Sequence, residues 1–212
     1  MCIRDRIYTE SHDEVANGKA RIPEELAPDH AATWIAKKRS TLGAALVFTV
    51  PGIPMIFQGQ EFLEDDWFRD DDPIDWSKKE RFAGIFRLYK DLIGLRLNRG
   101  GYTRGLCGQN ADVFHVNPDQ KVLAYHRWDR GGPADSVVVA ANFSAEPRRD
   151  YRIGLPAVGH WSVRFNSDGK VYDQEFGDLG GPVVTAEPQG YDGLPASGTI
   201  ALAAYSVILL SQ

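Results

Sequence analysis

The spacing of apolar residues changes period once along this chain. In the first half it is helical. Ala31, Trp34, Ile35, Leu42, Ala45, Leu46 and Phe48 predict an amphipathic helix, with Asp29 as its N-cap and Pro51-Gly52 as its stop. Lys37, Lys38 and Arg39 fall on its outer face and read as solvated charge. Phe82, Ile85, Phe86, Tyr89, Leu92, Ile93 and Leu97 predict a second helix over 80–98, closed by Asn98-Arg99-Gly100-Gly101. A short β-prone run precedes each helix. Residues 7–10 form the first; Pro54-Met55-Ile56-Phe57, apolar throughout and bounded by turn residues, reads as a buried parallel strand. A polar loop over 11–28, broken by Gly18 and Pro23, and a long acidic loop over 58–78 join strands to helices.

Beyond about residue 101 the period falls to two. Strand-like runs at 111–116, 122–128, 136–143, 150–155, 161–166, 182–187, 199–202 and 206–210 alternate with turn signals. Asn117-Pro118-Asp119 and Arg130-Gly131-Gly132-Pro133 are of hairpin type. With no helix between them, these runs predict an antiparallel sandwich. The chain therefore divides near residue 101 into an α/β part and an all-β part. Residues 1–6 have no apolar core of a signal peptide and run straight into a strand, so they are expected to be a non-native scar.

Composition narrows the partners. Hydrophobic residues at 43% and charged residues at 25% are ordinary for a soluble globular protein. A net charge of −5 argues against nucleic acid, whose phosphates require clustered Lys and Arg. No apolar run reaches the ~18 residues of a membrane span. Cys2 and Cys107 have no companion at metal-ligand spacing, so no zinc site is expected. Free thiols in a reducing compartment, hence a cytoplasmic protein, are the simpler expectation. Nothing calls for a cofactor.

The strongest candidate chemistry is His12-Asp13, just after the first strand. An imidazole can donate to a sugar hydroxyl, and a carboxylate can accept from two adjacent ones; such bonds tighten as the ring flattens toward an oxocarbenium-like state. The plainer reading is that Ser11 or Asp13 caps a turn and His12 is a surface residue. In the acidic loop, Trp67, Phe68 and Trp76 either stack on sugar rings or pack the loop down, leaving its aspartates solvated. The acidic spacing matches no EF-hand loop, and no metal is expected. Tyr125, Trp128, Trp161, Tyr172 and Tyr191 either form a binding face or, for most of them, fill the sandwich core. Arg148-Arg149 read as solvated. His115, His126 and His160 lie in strand-like runs without metal-ligand spacing.

Longer motifs give these residues a context. Glu10-Ser11-His12-Asp13-Glu14-Val15 followed by Gly18-Lys19 resembles the fourth signature region of the α-amylase superfamily, glycoside hydrolase family 13, most closely in its branching-enzyme form. The stretch from Pro51 to Phe62 is similar to that family's eighth-strand segment, and Asp75-Trp76 to the stretch before its last barrel helix. Gly159-His160-Trp161 and Phe165-Asn166-Ser167-Asp168 resemble its all-β C-terminal domain. The resemblance implies an α/β plus all-β fold: the C-terminal end of a (β/α)8 TIM barrel, its last two βα units over 7–100, followed by an antiparallel β-sandwich over 101–212. It implies Asp13 as the transition-state-stabilising carboxylate, His12 as a sugar contact and Glu61 in a supporting place at the cleft rim. It also implies an α-glucan partner.

The nucleophile and general acid of a retaining mechanism, about 5 Å apart, would precede Ile7, and a barrel needs about 250 residues. The chain alone is therefore expected to be inactive, as part of an enzyme forming α-1,6 branches. A hydrolase is the alternative within enzymes. The alternative outside them is a non-catalytic glucan-binding or structural module, in which 101–212 folds independently beside an unfinished 7–98.

Overall fold

The computed structural model describes residues 5–16, 20–28, 30–132 and 135–212. Cys2, Gly18-Lys19, Asp29 as an N-cap, and Pro133 in its turn lie outside the described residues.

Strand β1 (Arg6–Ile7) runs parallel to β2 (Ile53–Pro54), with Arg6 opposite Ile53 and Ile7 opposite Pro54. Both strands begin a residue ahead of the runs read from the sequence and stop early. Beyond Ile7 the chain gives its polar groups to side chains instead: Thr9 accepts a hydrogen bond from Gln60 Nε2, and Glu10 accepts one from Ile22 N. Arg6, placed outside the fold by sequence reading, lies within β1.

The loop expected over 11–28 holds two short helices, α1 (His12–Ala16) and α2 (Ile22–Leu26), each too brief to register as a periodic pattern. The next helix, α3 (Trp34–Thr49), is capped by Thr33, whose side chain accepts from Ala36 N at 3.4 Å. The expected helix over 80–98 is two, α4 (Ser77–Arg81) and α5 (Ala83–Arg96), separated by Phe82 at φ −111°, ψ 36°.

All the strand-like runs beyond residue 101 are strands, within a few residues: β3 (Asn110–Asn117), β4 (Val122–Trp128), β5 (Val137–Asn142), β6 (Arg148–Leu155), β7 (Gly159–Asn166), β8 (Val183–Ala186), β9 (Ala196–Leu202) and β10 (Ser206–Ser211). They form an antiparallel sheet ordered β3-β4-β5-β10-β7-β8, faced by a two-stranded antiparallel sheet β6-β9.

The larger sheet is covered on both sides. Tyr125, Val137, Val139, Ala141, Phe165, Val207 and Leu209 form one core with Leu42, Ala45 and Phe48 of α3 and Ile85, Leu88 and Leu92 of α5. The alternate residues Ala124, Val138, Ala140, Ile208 and Leu210 join Trp161 in a second core against Ile153, Leu155, Ile200 and Leu202. This is why β5 and β10 are buried along their whole length. The change of period at residue 101 is thus a change of secondary structure inside a shared core. Thr49 Oγ1 and Tyr125 Oη lie 2.6 Å apart across it, and Tyr172 Oη donates to Asp91 at 2.9 Å.

Two readings of surface charge are corrected here. Lys37 and Lys38 are buried, because the segment after β7 folds over that side of α3 and presents carboxylates to both. Arg148 is half-buried and donates to Gln120 O at 3.1 Å, while Arg149 is exposed. Of the aromatic residues weighed as a binding face, Tyr125, Trp161 and Tyr172 are core, Trp128 is half-buried against His126, and Tyr191 is exposed. No helix among the described residues is long and apolar enough to cross a membrane.

Candidate functional site

Parallel strands send their following loops out of the same edge. Residues 8–13 leave β1 and residues 55–62 leave β2, and the Thr9–Gln60 hydrogen bond ties the two loops together. The second loop turns at Gly59, whose φ of +82° suits glycine; a Cβ there would also lie 2.7 Å from the Glu64 Cβ.

Glu10 and Arg21 are the buried anchors of this edge, and the sequence reading singled out neither. Glu10 Oε1 accepts from Ile22 N at 2.7 Å, and Oε2 from Arg21 Nη1 at 3.3 Å. Arg21 Nη1 also donates to Gln58 O at 2.8 Å, and its guanidinium lies 4.6 Å over the Phe57 ring. Arg21 Nε donates to Asp66 O at 3.4 Å. One arginine thus gathers the loop after β1, the loop after β2 and the acidic loop. Burial raises the Glu10 carboxyl above its ordinary value, although the Ile22 amide and Arg21 both oppose the shift. The available signal was a carboxylate closing a β-prone run, where it needs a partner.

His12 and Asp13 occupy the first turn of α1, with Nε2 3.0 Å from Oδ1 and side chains 69% and 78% exposed. Ser11, buried, accepts from Glu14 N at 3.4 Å and caps that turn. The capping reading of Ser11 and the presence of an open His–Asp pair therefore hold together. Glu61 lies on a 3₁₀ turn, Gln60–Phe62; its Oε2 is buried and has no hydrogen-bond partner among the described residues. The Tyr89 hydroxyl from α5 is pushed far up, by burial first and then by the charges of Glu10 and Glu61. The structure therefore joins His12 to Asp13, and gathers Glu61 with Glu10 around Tyr89.

The acidic loop is organised from within. Buried Glu64 accepts from Asp65 N and Asp66 N at 3.0 Å and from Asp75 N at 3.1 Å. Lys78 Nζ reaches Glu64 and Asp65 at 2.5 Å and Asp66 at 2.6 Å. Burial works against its charge, but the three carboxylates outweigh burial and raise its pKa. Oxygens of Glu64, Asp65 and Asp66 lie within 4.8 Å of one another, as a cation would need, yet they converge on this ammonium. So part of the acidic run is paired rather than solvated. Phe68 packs edge-on to Phe57 and Trp76 tilts over Phe62, both at 5.4 Å between centroids. Trp67 and Trp76 remain 47% and 61% exposed. The loop is held down by its own side chains while two indoles stay open to solvent.

Residues 114–212 match the family model described as "Alpha amylase, C-terminal all-beta domain". This segment is similar to the alpha-amylase C-terminal all-beta domain. The match of the whole chain reaches further. It is 33% identical over 201 residues to the 1,4-alpha-glucan branching enzyme GlgB of Burkholderia thailandensis, covering 91% of this chain and 23% of that protein. It is 31% identical over 207 residues to the GlgB of Frankia casuarinae, covering 95% of this chain and 25% of that one. The chain is homologous to these branching enzymes and spans about a quarter of their length.

Among solved structures, an Anoxybacillus pullulanase in complex with maltotetraose has a TM-score of 0.61 at 23% identity, covering 90% of this chain and 26% of that one. The alpha-amylase of H. orenii has a TM-score of 0.61 at 18% identity, covering 98% and 40%. At these identities the likeness is one of fold, and it takes in the helical half as well as the β half.

Proposed function

We propose that the chain forms part of a 1,4-α-glucan branching enzyme acting on a glycogen-like polymer in the cytoplasm, and that Asp13 and His12 are its contribution to the sugar site. The observation that carries this reading is the exposed His12–Asp13 pair on the loop leaving β1, at the edge where the β2 loop carries Glu61. Similarity to branching enzymes along 91% and 95% of the chain supports it. In this reading β1 to α3 and β2 to α5 are the last two units of a (β/α)8 barrel, whose earlier strands carry nucleophile and general acid.

The chemistry follows from the residue types. The nucleophile attacks C1 of a glucose in the donor chain, and the C1–O4 bond breaks as the general acid protonates O4. Asp13 accepts from ring hydroxyls whose hydrogen bonds strengthen as positive charge develops. His12 donates to a hydroxyl from its place beside the carboxylate. The 6-hydroxyl of a second glucose then attacks C1 of this covalent intermediate, giving up its proton to the residue that served as acid; the C1–carboxylate bond breaks, the nucleophile is freed, and an α-1,6 branch forms. Glu61 supports the rim.

The test is a chimera in which residues 5–212 replace the matching segment of the B. thailandensis enzyme. The chimera should form α-1,6 linkages, detected by debranching of the product. Asp13→Asn should lower kcat by at least about a hundredfold, as loss of one transition-state contact does. The 212-residue chain alone should form none. A chimera that only raises reducing ends, or an Asp13→Asn variant at full rate, overturns the reading.

A further inference from the structure

Asp192 and Gly193 form a two-residue turn in the link between β8 and β9, with φ of +53° and +76°. Tyr191 N donates to Leu194 O at 3.1 Å and Leu194 N to Tyr191 O at 2.9 Å, which closes the turn. Aspartate followed by glycine suits two successive left-handed residues. The turn is seated on β6. A Cβ on Gly154 would lie 2.4 Å from Tyr191 O, so the absence of a side chain there admits the close approach. Arg152, also of β6, lies over the Tyr191 ring at 4.8 Å from its centroid.

The Asp192 side chain enters a run of hydrogen bonds that joins this turn to both sheets. Its Oδ2 accepts from Gly154 N of β6 at 2.9 Å and lies 3.0 Å from His115 Nδ1 of β3. His115 Nε2 lies 2.7 Å from the Tyr151 hydroxyl of β6, which accepts from Asn117 Nδ2 at 2.9 Å. Direction is set from the far end. Gln120 N donates to Asn117 Oδ1 at 3.0 Å, so the Asn117 amide turns its NH2 toward Tyr151. The Tyr151 O–H is then free to donate to Nε2, and the neutral imidazole carries its proton on Nδ1, facing Asp192. His115 is only 9% exposed. The charged and titratable groups around this run are Asp192 and Tyr191 of the turn and Tyr151 and Arg148 of β6; opposite His115 on β4 stands Ala124. Burial first, against Asn117, raises the Tyr151 hydroxyl above its ordinary value, so it keeps its proton.

A second proton on His115 preserves every one of these contacts. Both ring nitrogens then donate. The Tyr151 oxygen has two lone pairs, accepts from Asn117 and His115 together, and turns its own proton away. The contact with Asp192 becomes a charge-assisted hydrogen bond, roughly twice as strong as a neutral one. We propose that His115 is a proton-operated clasp: charged, it fastens the β8–β9 turn across β3 and β6, and neutral, it holds the turn more loosely.

The test is amide hydrogen exchange of the 212-residue chain, followed by NMR and corrected for intrinsic rates. It reads the clasp at Gly154 N, Tyr191 N and Leu194 N. Their protection should be at least about tenfold greater at about pH 5.5 than at about pH 7.5, which bracket the range where histidines titrate. His115→Gln has no titrating group and should lose this response. Asp192→Asn keeps a residue that tolerates the turn and an acceptor for Gly154 N, but no charge, and should lose it too. Should one variant fail to fold, the other decides. Equal protection of the wild-type chain at the two pH values, greater protection at the higher one, or a response that persists in a folded variant overturns the proposal. So does a change matched at Val139, deep in β5, since that would be one of global stability.

Discussion

Lys38 Nζ lies 2.6 Å from Asp168 Oδ1, with both side chains enclosed between α3 and the segment that follows β7. Asp168 also accepts from Gly177 N and Leu179 N, both at 3.2 Å. The lysine lies 4.9 Å from the Phe176 ring. Beside it, Lys37 reaches Asp173 at 2.7 Å and Glu175 at 2.5 Å. Two adjacent lysines thus fasten the segment after β7 onto the helix of the other half. Burial lowers the Lys38 pKa even against the pull of Asp168.

Removing one partner of such a pair leaves the other charge buried and uncompensated. Lys38→Met should therefore cost about 3–5 kcal/mol in urea denaturation. Lys38→Met with Asp168→Asn should recover part of that, because asparagine carries no charge, although its single oxygen can accept from only one of Gly177 N and Leu179 N. A cost below about 1 kcal/mol for the single variant would mean that the pair does not hold the layers together.

Residues 101–212 on their own would expose the sheet face of Tyr125, Val139, Phe165 and Leu209. Arg127 is fully buried there, pushed down to about 10 by burial and then by Arg96. It hydrogen-bonds to Thr49 O in α3 and donates to Gly108 O at 2.6 Å. Truncation removes the first of these acceptors. The isolated segment is expected to bind ANS, lose near-UV circular dichroism and aggregate, as proteins with exposed apolar faces do. Cooperative unfolding with the midpoint of the full chain would contradict this.

The strands of the β half were legible because period-two alternation and turn residues are local signals. The burial of Lys37 and Lys38 was not. Helical periodicity assigns a charged position to the outside, and the partners Asp168, Asp173 and Glu175 lie far along the chain, so nothing local announces them. The His12–Asp13 pair was legible from its motif, and both residues do occupy the loop leaving β1. The Glu10–Arg21 anchor was not, since Arg21 sits in a polar stretch and finds Gln58 and Asp66 only once the loops meet.

Asp135 gives a pH test in the β half. Burial works to raise its carboxyl, but the amides of Arg130, Asp129 and Gly131 outweigh that and hold it below the ordinary carboxylate range. A depressed folded value means stability that is present above the unfolded pKa and lost as pH falls through the folded one. Asp135→Asn should cost about 1–3 kcal/mol near neutrality. The difference from wild type should shrink in acid. A difference that does not change with pH would place the effect outside the carboxylate.

Glu10 titrates with the opposite sign. Its carboxyl is raised above its ordinary 4.5 by burial, even with Arg21 beside it. Its contribution to stability is therefore full below the unfolded value and lost as pH rises through the folded one. Taking away Arg21 removes one of the groups that oppose the shift, so the Glu10 value in Arg21→Ala should move further up. At about pH 4 the carboxyl is largely neutral in both proteins, and the variant should lose only the hydrogen bonds to Gln58 O and Asp66 O and the Phe57 contact. As pH rises toward about 7 the variant must either keep that carboxyl protonated or ionise it without a partner, so the gap should widen. Arg21→Lys should restore charge but not the fork that spans Glu10, Gln58 and Asp66, and so recover only part of the loss. Urea denaturation of the three proteins at both pH values is the measurement. A gap equal at the two pH values would show that Arg21 acts through its contacts alone, and that the charge of Glu10 plays no part in fixing the loop that carries His12 and Asp13.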